Sequence, residues 1–168
     1  EIFRQGATVP LYSLDALGDD DWIGEVGGIG APVVSIEKFE QGDEGTRALR
    51  AVEEVLGIRV KALISGEIGG ANAMEPVITA ARTSIGVVDG DGMGRAYPEL
   101  QMVTFTMHGV SATPMVLCDD KGNSLVLDTV SNAWTERLAR AATIEMGGSA
   151  LLAFYPMSGA VAKKAVVA

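Results

Sequence analysis

The 168-residue chain carries a net charge of −9, with 48% hydrophobic and 21% charged residues, a balance that fits one globular domain. Acidity without a Lys/Arg cluster argues against a phosphate-backbone binder, and one cysteine, Cys118, with one histidine, His108, excludes an internal disulfide and a cysteine-based zinc site. The longest apolar run, 150–155, is far short of a membrane span and no signal-peptide pattern is present, so the expectation is a cytoplasmic protein with neither nucleic acid nor membrane as partner.

Thr8–Leu14 and Trp22–Val26 read as short strands separated by an acidic turn at Leu17–Asp21, whose carboxylates are expected to be solvated. Gly27–Pro32 follows as a glycine-rich bend that lacks the spacing of a phosphate loop. The spacing predicts a helix over 44–56, with Ala48, Val52, Val55 and Leu56 inward, Arg47, Arg50, Glu53 and Glu54 away from that stripe, and Gly57 as its stop. Val60–Ile64 is a buried strand whose end carries Glu67, Gly69, Gly70 and Asn72. A helix over 73–84 comes next, starting near Ala73 because Pro76 is tolerated only in a first turn, with Met74, Ile78, Ala81 and Ile85 on one stripe. The amides beside Gly69 and Gly70 suit an anionic or carbonyl group, and an ordinary strand-to-helix turn fits equally well.

Gly86–Val88 is the next strand, and two strands joined by one amphipathic helix make a right-handed βαβ unit. It opens into a loop that carries Asp89 and Asp91 among Gly90, Gly92 and Gly94, followed by Arg95 and Glu99. In open α/β sheets ligands bind outside the carboxyl ends of strands, and both Glu67 and Asp89 lie at such ends. Arg95 is expected to pair with one of these acids or with Glu99. Residues 100–110 show no clean period, and His108 near their end reads as a structural or surface residue. Met115–Cys118 and Ser124–Val130 flank Asp119–Asn123, a hairpin turn, with Cys118 as a small core residue. A helix over 132–146 is expected to bury Trp134, Leu138, Ala141 and Ala142 and to expose Glu136, Arg137 and Arg140. Ser149–Tyr155 is a last strand closed by Pro156, and Ser158–Ala168 reads as a helix beginning. Together these elements predict one α/β domain over 1–168, a three-layer sandwich with a mainly parallel sheet plus a β-hairpin. Strands at 61–65 and 86–88 must then share one sheet.

Glu67-Ile-Gly-Gly-Ala-Asn72, the run Val87–Val103, Gly30–Lys38, Met146–Ser149 and Tyr155-Pro-Met157 together resemble the N-terminal domain of the S-methyl-thiohydantoin desulfurase family, over essentially the whole chain. Members carry an upstream glycine-rich segment and a downstream β-rich domain, so the chain is expected to be a piece of a longer protein, and the isolated piece to fold without being active. The resemblance implies chemistry on a five-membered cyclic amide or its sulfur analogue, and association with hydantoinase and oxoprolinase relatives. The candidate catalytic set is Glu67, Asp89, Asp91 and Arg95, with Gly69, Gly70, Asn72, Gly92 and Glu99 as substrate-binding residues and roles within the set interchangeable. Hydrolysis would need a base among the acids and a donor, Arg95 or the Gly69–Gly70 amides. No cofactor is assigned, although oxygen ligation of a divalent metal by Asp89, Asp91 and Glu67 stays open. The expected partners are a small cyclic amide and either a second copy of the chain or a hydantoinase-type subunit. The rival reading is a non-catalytic domain for small-ligand binding or subunit assembly.

Overall fold

A computed structural model describes residue 4 and residues 6–38 and 41–167. Seven strands form one sheet in the order β1-β4-β3-β2-β7-β5-β6. They are β1 (Leu11–Tyr12), β2 (Trp22–Gly30), β3 (Val60–Ser65), β4 (Gly86–Asp91), β5 (Met115–Cys118), β6 (Ser124–Leu127) and β7 (Ser149–Ser158). The expected βαβ unit is present: Ala62 pairs with Gly86 and Leu63 with Val87, in parallel. Pairing is parallel from β1 through β4 and β3 to β2, and antiparallel from β2 through β7 and β5 to β6. The sheet is therefore mixed. The β5–β6 hairpin attaches to its antiparallel half, and the Asp119 carboxylate accepts from Lys121 N, Asn123 N and Asn123 Nδ2 inside the turn.

Among the described residues there are six α-helices: α1 (Pro32–Glu37), α2 (Glu44–Leu56), α3 (Met74–Thr83), α4 (Thr104–Met107), α5 (Asn132–Glu145) and α6 (Gly159–Ala165). Two apolar cores lie on opposite faces of the sheet, as the alternation of a strand requires: Leu63 packs with Ala48, Leu49 and Val52 of α2, whereas Ala62 and Ile64 pack with Phe105, Ala139 and Ala162. Helix α2 ends at Gly57, whose left-handed φ of 66° closes the last turn. The Ser131 side chain caps α5 by accepting from Trp134 N. Helix α6 realises the predicted tail, of which Ala168 lies outside the described residues.

Several predicted faces and bounds differ. On α5 the buried residues are Thr135, Glu136, Ala139 and Thr143, while Trp134 and Leu138 are 47% and 43% exposed. Glu136 is inside because Leu100 N and Arg140 Nε donate to it, so the helix turns a polar pair inward at no cost in lost hydrogen bonds. Glu53 of α2 is likewise buried, accepting from Val60 N, Arg50 and Arg59, and Val55 and Leu56 are the exposed residues. On α3 the buried residues are Pro76, Thr79 and Ala80, and Met74 is 50% exposed.

Strand β2 does not stop at Val26. Gly27–Gly30, expected as a bend, continue it by pairing with Ser149–Leu152 of β7, a partner far away in sequence. Strand β7 likewise runs past Pro156, because that proline sits at a register shift between Ile23 and Glu25 of β2, where no ladder donor is needed and Tyr155 takes a φ of 48°.

Candidate functional site

A cleft of about 310 Å³ opens over the middle of β2. Its lining includes Glu25 and Gly27–Gly30 of β2, Glu67 and Asn72 beyond β3, the Tyr97–Leu100 loop, Phe154 of β7 and Arg140 of α5. This is the crevice at the carboxyl end of parallel β3, where a topological argument places ligands.

Glu25 is the deepest charged side chain of the cleft, only 3% exposed. It stands at the bulge between β2 and β7, a device that re-aims a side chain. Tyr97 donates its hydroxyl to Glu25 Oε1 at 3.1 Å, and Glu25 Oε2 has no hydrogen-bond partner among the described residues. Burial raises the Glu25 carboxyl from its ordinary 4.5 to about 8; the Tyr97 hydrogen bond opposes that rise, and the charges of Glu67 and Asp91 add to it. Burial and the neighbouring Glu25 push the Tyr97 phenol far above its ordinary range, so it stays a donor. The pair fits only over a glycine: a Cβ on Gly66 would lie 1.9 Å from Glu25 Oε1 and 2.2 Å from the Tyr97 hydroxyl.

Glu67 is 9% exposed. Its turn is shaped by Ser65, whose hydroxyl donates to Glu67 O and accepts from Glu67 N. Asn72 Nδ2 donates to Glu67 Oε1 at 2.8 Å, while Glu67 Oε2 has no partner among the described residues. Asn72 is itself held against β2, accepting from Gly28 N at 2.8 Å and donating to Gly28 O at 3.3 Å. A Cβ on Gly28 would come within 3.2 Å of Asn72 Oδ1, so the glycines of β2 give this amide its seat. At the mouth, Arg140 donates to Pro98 O and Glu136 accepts from Leu100 N, clamping both ends of the short loop that follows Tyr97.

Of the residues predicted from sequence, Glu67, Asn72 and Glu99 line this cleft, and Gly70 lies beside the Glu67 carboxylate. Gly69 packs against the backbone of Arg95. Asp91 is buried but is a brace, accepting from Ile68 N, Met93 N and Gly94 N. Gly92 lies under Phe105 and donates to Gly66 O. Asp89 is exposed within β4, which continues to Asp91. Arg95 is exposed and makes no ion pair among the described residues, so the expected pairing with an acid is not formed. The expected meeting of Glu67 with Asp89 is likewise replaced: the residue of β4 that faces the end of β3 is Asp91, opposite Ser65. Among the described residues no group of three or more His, Cys, Asp or Glu side chains could hold a metal ion. None of their helices is long and apolar enough to cross a membrane.

Glu25, Tyr97 and Arg140 were not among the predicted site residues. The signal for Glu25 is a lone acid inside a run of apolar residues and glycines, Ile23-Gly-Glu-Val-Gly-Gly-Ile29, which has to be paid back by a polar partner if the run is a strand.

Residues 1–129 match the family model described as S-Me-THD-like, N-terminal domain. The chain belongs to the S-Me-THD-like family. Residues 130–168, which the sequence reading placed in the N-terminal domain, match the S-Me-THD-like, C-terminal domain. The boundary between the two matches does not divide the fold of this S-Me-THD-like chain, since β7 of the second lies between β2 and β5 of the first. A crystal structure of a protein from Chromobacterium violaceum superposes with a TM-score of 0.82 at 25% identity, over 94% of this chain. The chain spans 45% of the length of that structural relative. No match was found among curated proteins.

Proposed function

We propose that the cleft binds a five-membered cyclic amide of the hydantoin type, or its S-methyl-thio analogue, and hydrolyses it with carboxyl assistance. The observation that carries this reading is the pair of buried carboxyls, Glu25 and Glu67, each held through one oxygen and each leaving Oε2 without a partner among the described residues. Buried polar atoms are almost always satisfied, so two carboxyl oxygens of one cleft without partners among the described residues call for a polar ligand there. Phe154, Ile29 and Leu100 supply apolar lining for a small ring, and the name of the matched family supports the choice of chemical class. No redox group is needed: water is the only co-reactant. The test is methanethiol release from an S-methyl-thiohydantoin by the native protein, followed with a thiol reagent. Glu67→Gln should lower kcat by roughly 10²–10⁴-fold, the usual contribution of a positioned base. Binding of the ring without any release would favour a non-catalytic ligand-binding domain.

A further inference from the structure

We propose that Glu25, steadied by Tyr97, is the general acid of this site, and that Glu67, steadied by Asn72, is its base. The assignment rests on the hydrolytic reading above and goes beyond it by giving each carboxyl one role. Geometry separates the two groups. Glu25 rises from the floor of the cleft on a strand, 3% exposed, with a phenol as its side-chain donor among the described residues. Glu67 sits beyond a strand end, and its Oε1 takes a hydrogen bond from an amide that is locked to the backbone of β2. The Asn72 N–H fixes Glu67 Oε1 and leaves Oε2, without a partner among the described residues, as the oxygen that can take a proton from water. Glu25 is surrounded by groups that favour its proton: Glu67 beyond β3, Asp91 on β4 and apolar walls, with only the Tyr97 hydrogen bond and the Gly66 backbone opposing. Arg140 of α5 and Glu99 stand at the mouth, and Tyr155 of β7 lies behind. A buried carboxyl walled so as to keep its proton, beside a second carboxyl at a strand end with one oxygen turned from its anchor, is the arrangement that an acid and a base need.

The reaction balances with these two groups and one water. Glu67 Oε2 takes a proton from water as the water oxygen bonds to ring C2. The C2=N π pair moves to the ring nitrogen, which takes the proton of Glu25. In the tetrahedral adduct the Glu25 carboxylate then recovers a proton from the new C2–OH as C2=O forms. The C2–S bond breaks with its electron pair on sulfur, and the proton held by Glu67 passes to it. The products are the hydantoin and methanethiol, and both carboxyls return to their starting states.

The experiment combines the pH profile of kcat/KM for methanethiol release with infrared detection of a protonated carboxyl at pH 7. The wild-type profile should fall on the alkaline side near pH 8, as Glu25 loses its proton. Glu25→Gln, checked for folding by circular dichroism, should lower kcat by roughly 10²–10⁴-fold and abolish both that limb and the infrared band. Tyr97→Phe, which removes the hydrogen bond that favours the charged carboxylate, should keep the band and move the limb to higher pH. A Glu25→Gln protein that retains kcat and the alkaline limb overturns the assignment while leaving hydrolysis standing, and so does absence of the band in wild type. A wild-type protein that shows the band but releases no methanethiol overturns the hydrolytic reading and the acid role with it.

Discussion

Replacing Glu25 by Gln should make the protein more stable at neutral and alkaline pH, by an amount that grows with pH. In the unfolded chain the carboxyl ionises near its ordinary 4.5, whereas in the fold burial holds the proton up to about 8. Below pH 4.5 both states carry the proton and the group is neutral in the balance. As pH rises further the unfolded chain is stabilised by ionising and the native one is not, so native stability falls until about pH 8 and then levels off. At about 1.4 kcal/mol per pH unit the whole loss is about 5 kcal/mol, of which about 3 kcal/mol has accrued at pH 7. A glutamine keeps the shape and cannot ionise, so it lacks this loss. Urea unfolding of both proteins from pH 4 to pH 9 measures the difference directly, since titrating groups remote from Glu25 cancel in it. Stability curves that stay parallel between pH 4.5 and 8 would refute the reasoning.

Asp91→Ala should cost about 2–3 kcal/mol, because Ile68 N, Met93 N and Gly94 N lose a charged acceptor, whereas Asp89→Ala at an exposed position should stay within about 0.5 kcal/mol; melting temperatures separate them. For Glu53, burial works to raise the carboxyl and is outweighed by Val60 N–H, Arg50 and Arg59, which hold it below its ordinary value. Its contribution is therefore present above the ordinary carboxylate range and lost as pH falls through the lowered value, so Glu53→Gln should flatten the acid side of a denaturation curve. Ala139→Leu, at a position with no exposure, should cost about 1–3 kcal/mol by overpacking, while Leu138→Ala next to it should cost less than about 1 kcal/mol; the reverse order in chemical denaturation would mean that α5 presents its other face.

The helices over 44–56, 73–84 and 132–146 were legible to within a residue or so because each is bounded by its own local chemistry: Gly57 at the end of the first, Pro76 in the first turn of the second, and Ser131 at the cap of the third. Their faces were less legible. Hydropathy favours Trp134 and Leu138 as the buried side of α5, and it has no way to know that Glu136 meets Leu100 N, a donor 36 residues away. The site divides along the same line. Glu67 and Asn72 follow from the position of a strand end and a helix start, which are local features. Glu25 depends on β7 extending β2 through its glycines, and that pairing joins Glu25 to Phe154 across most of the chain. The two acids of the glycine loop looked alike in sequence. One of them turns inward to bind three backbone amides and the other turns to solvent, a difference that plain alternation forbids for residues two apart and that the register shift between β3 and β4, placed between Val87 and Asp91, makes possible.

The place of β7 in the sheet also fixes an order of assembly. Within the sheet the β5–β6 hairpin is joined to the parallel half by β7, and β7 is the last strand among the described residues. While the polypeptide is being made, β2 and β5 must therefore wait as open edges until residues 149–158 emerge, and the floor of the cleft, Glu25 included, has no finished wall before that moment. A chain stopped at residue 129 would carry every acid of the cleft and lack the strand that joins the two halves of its sheet.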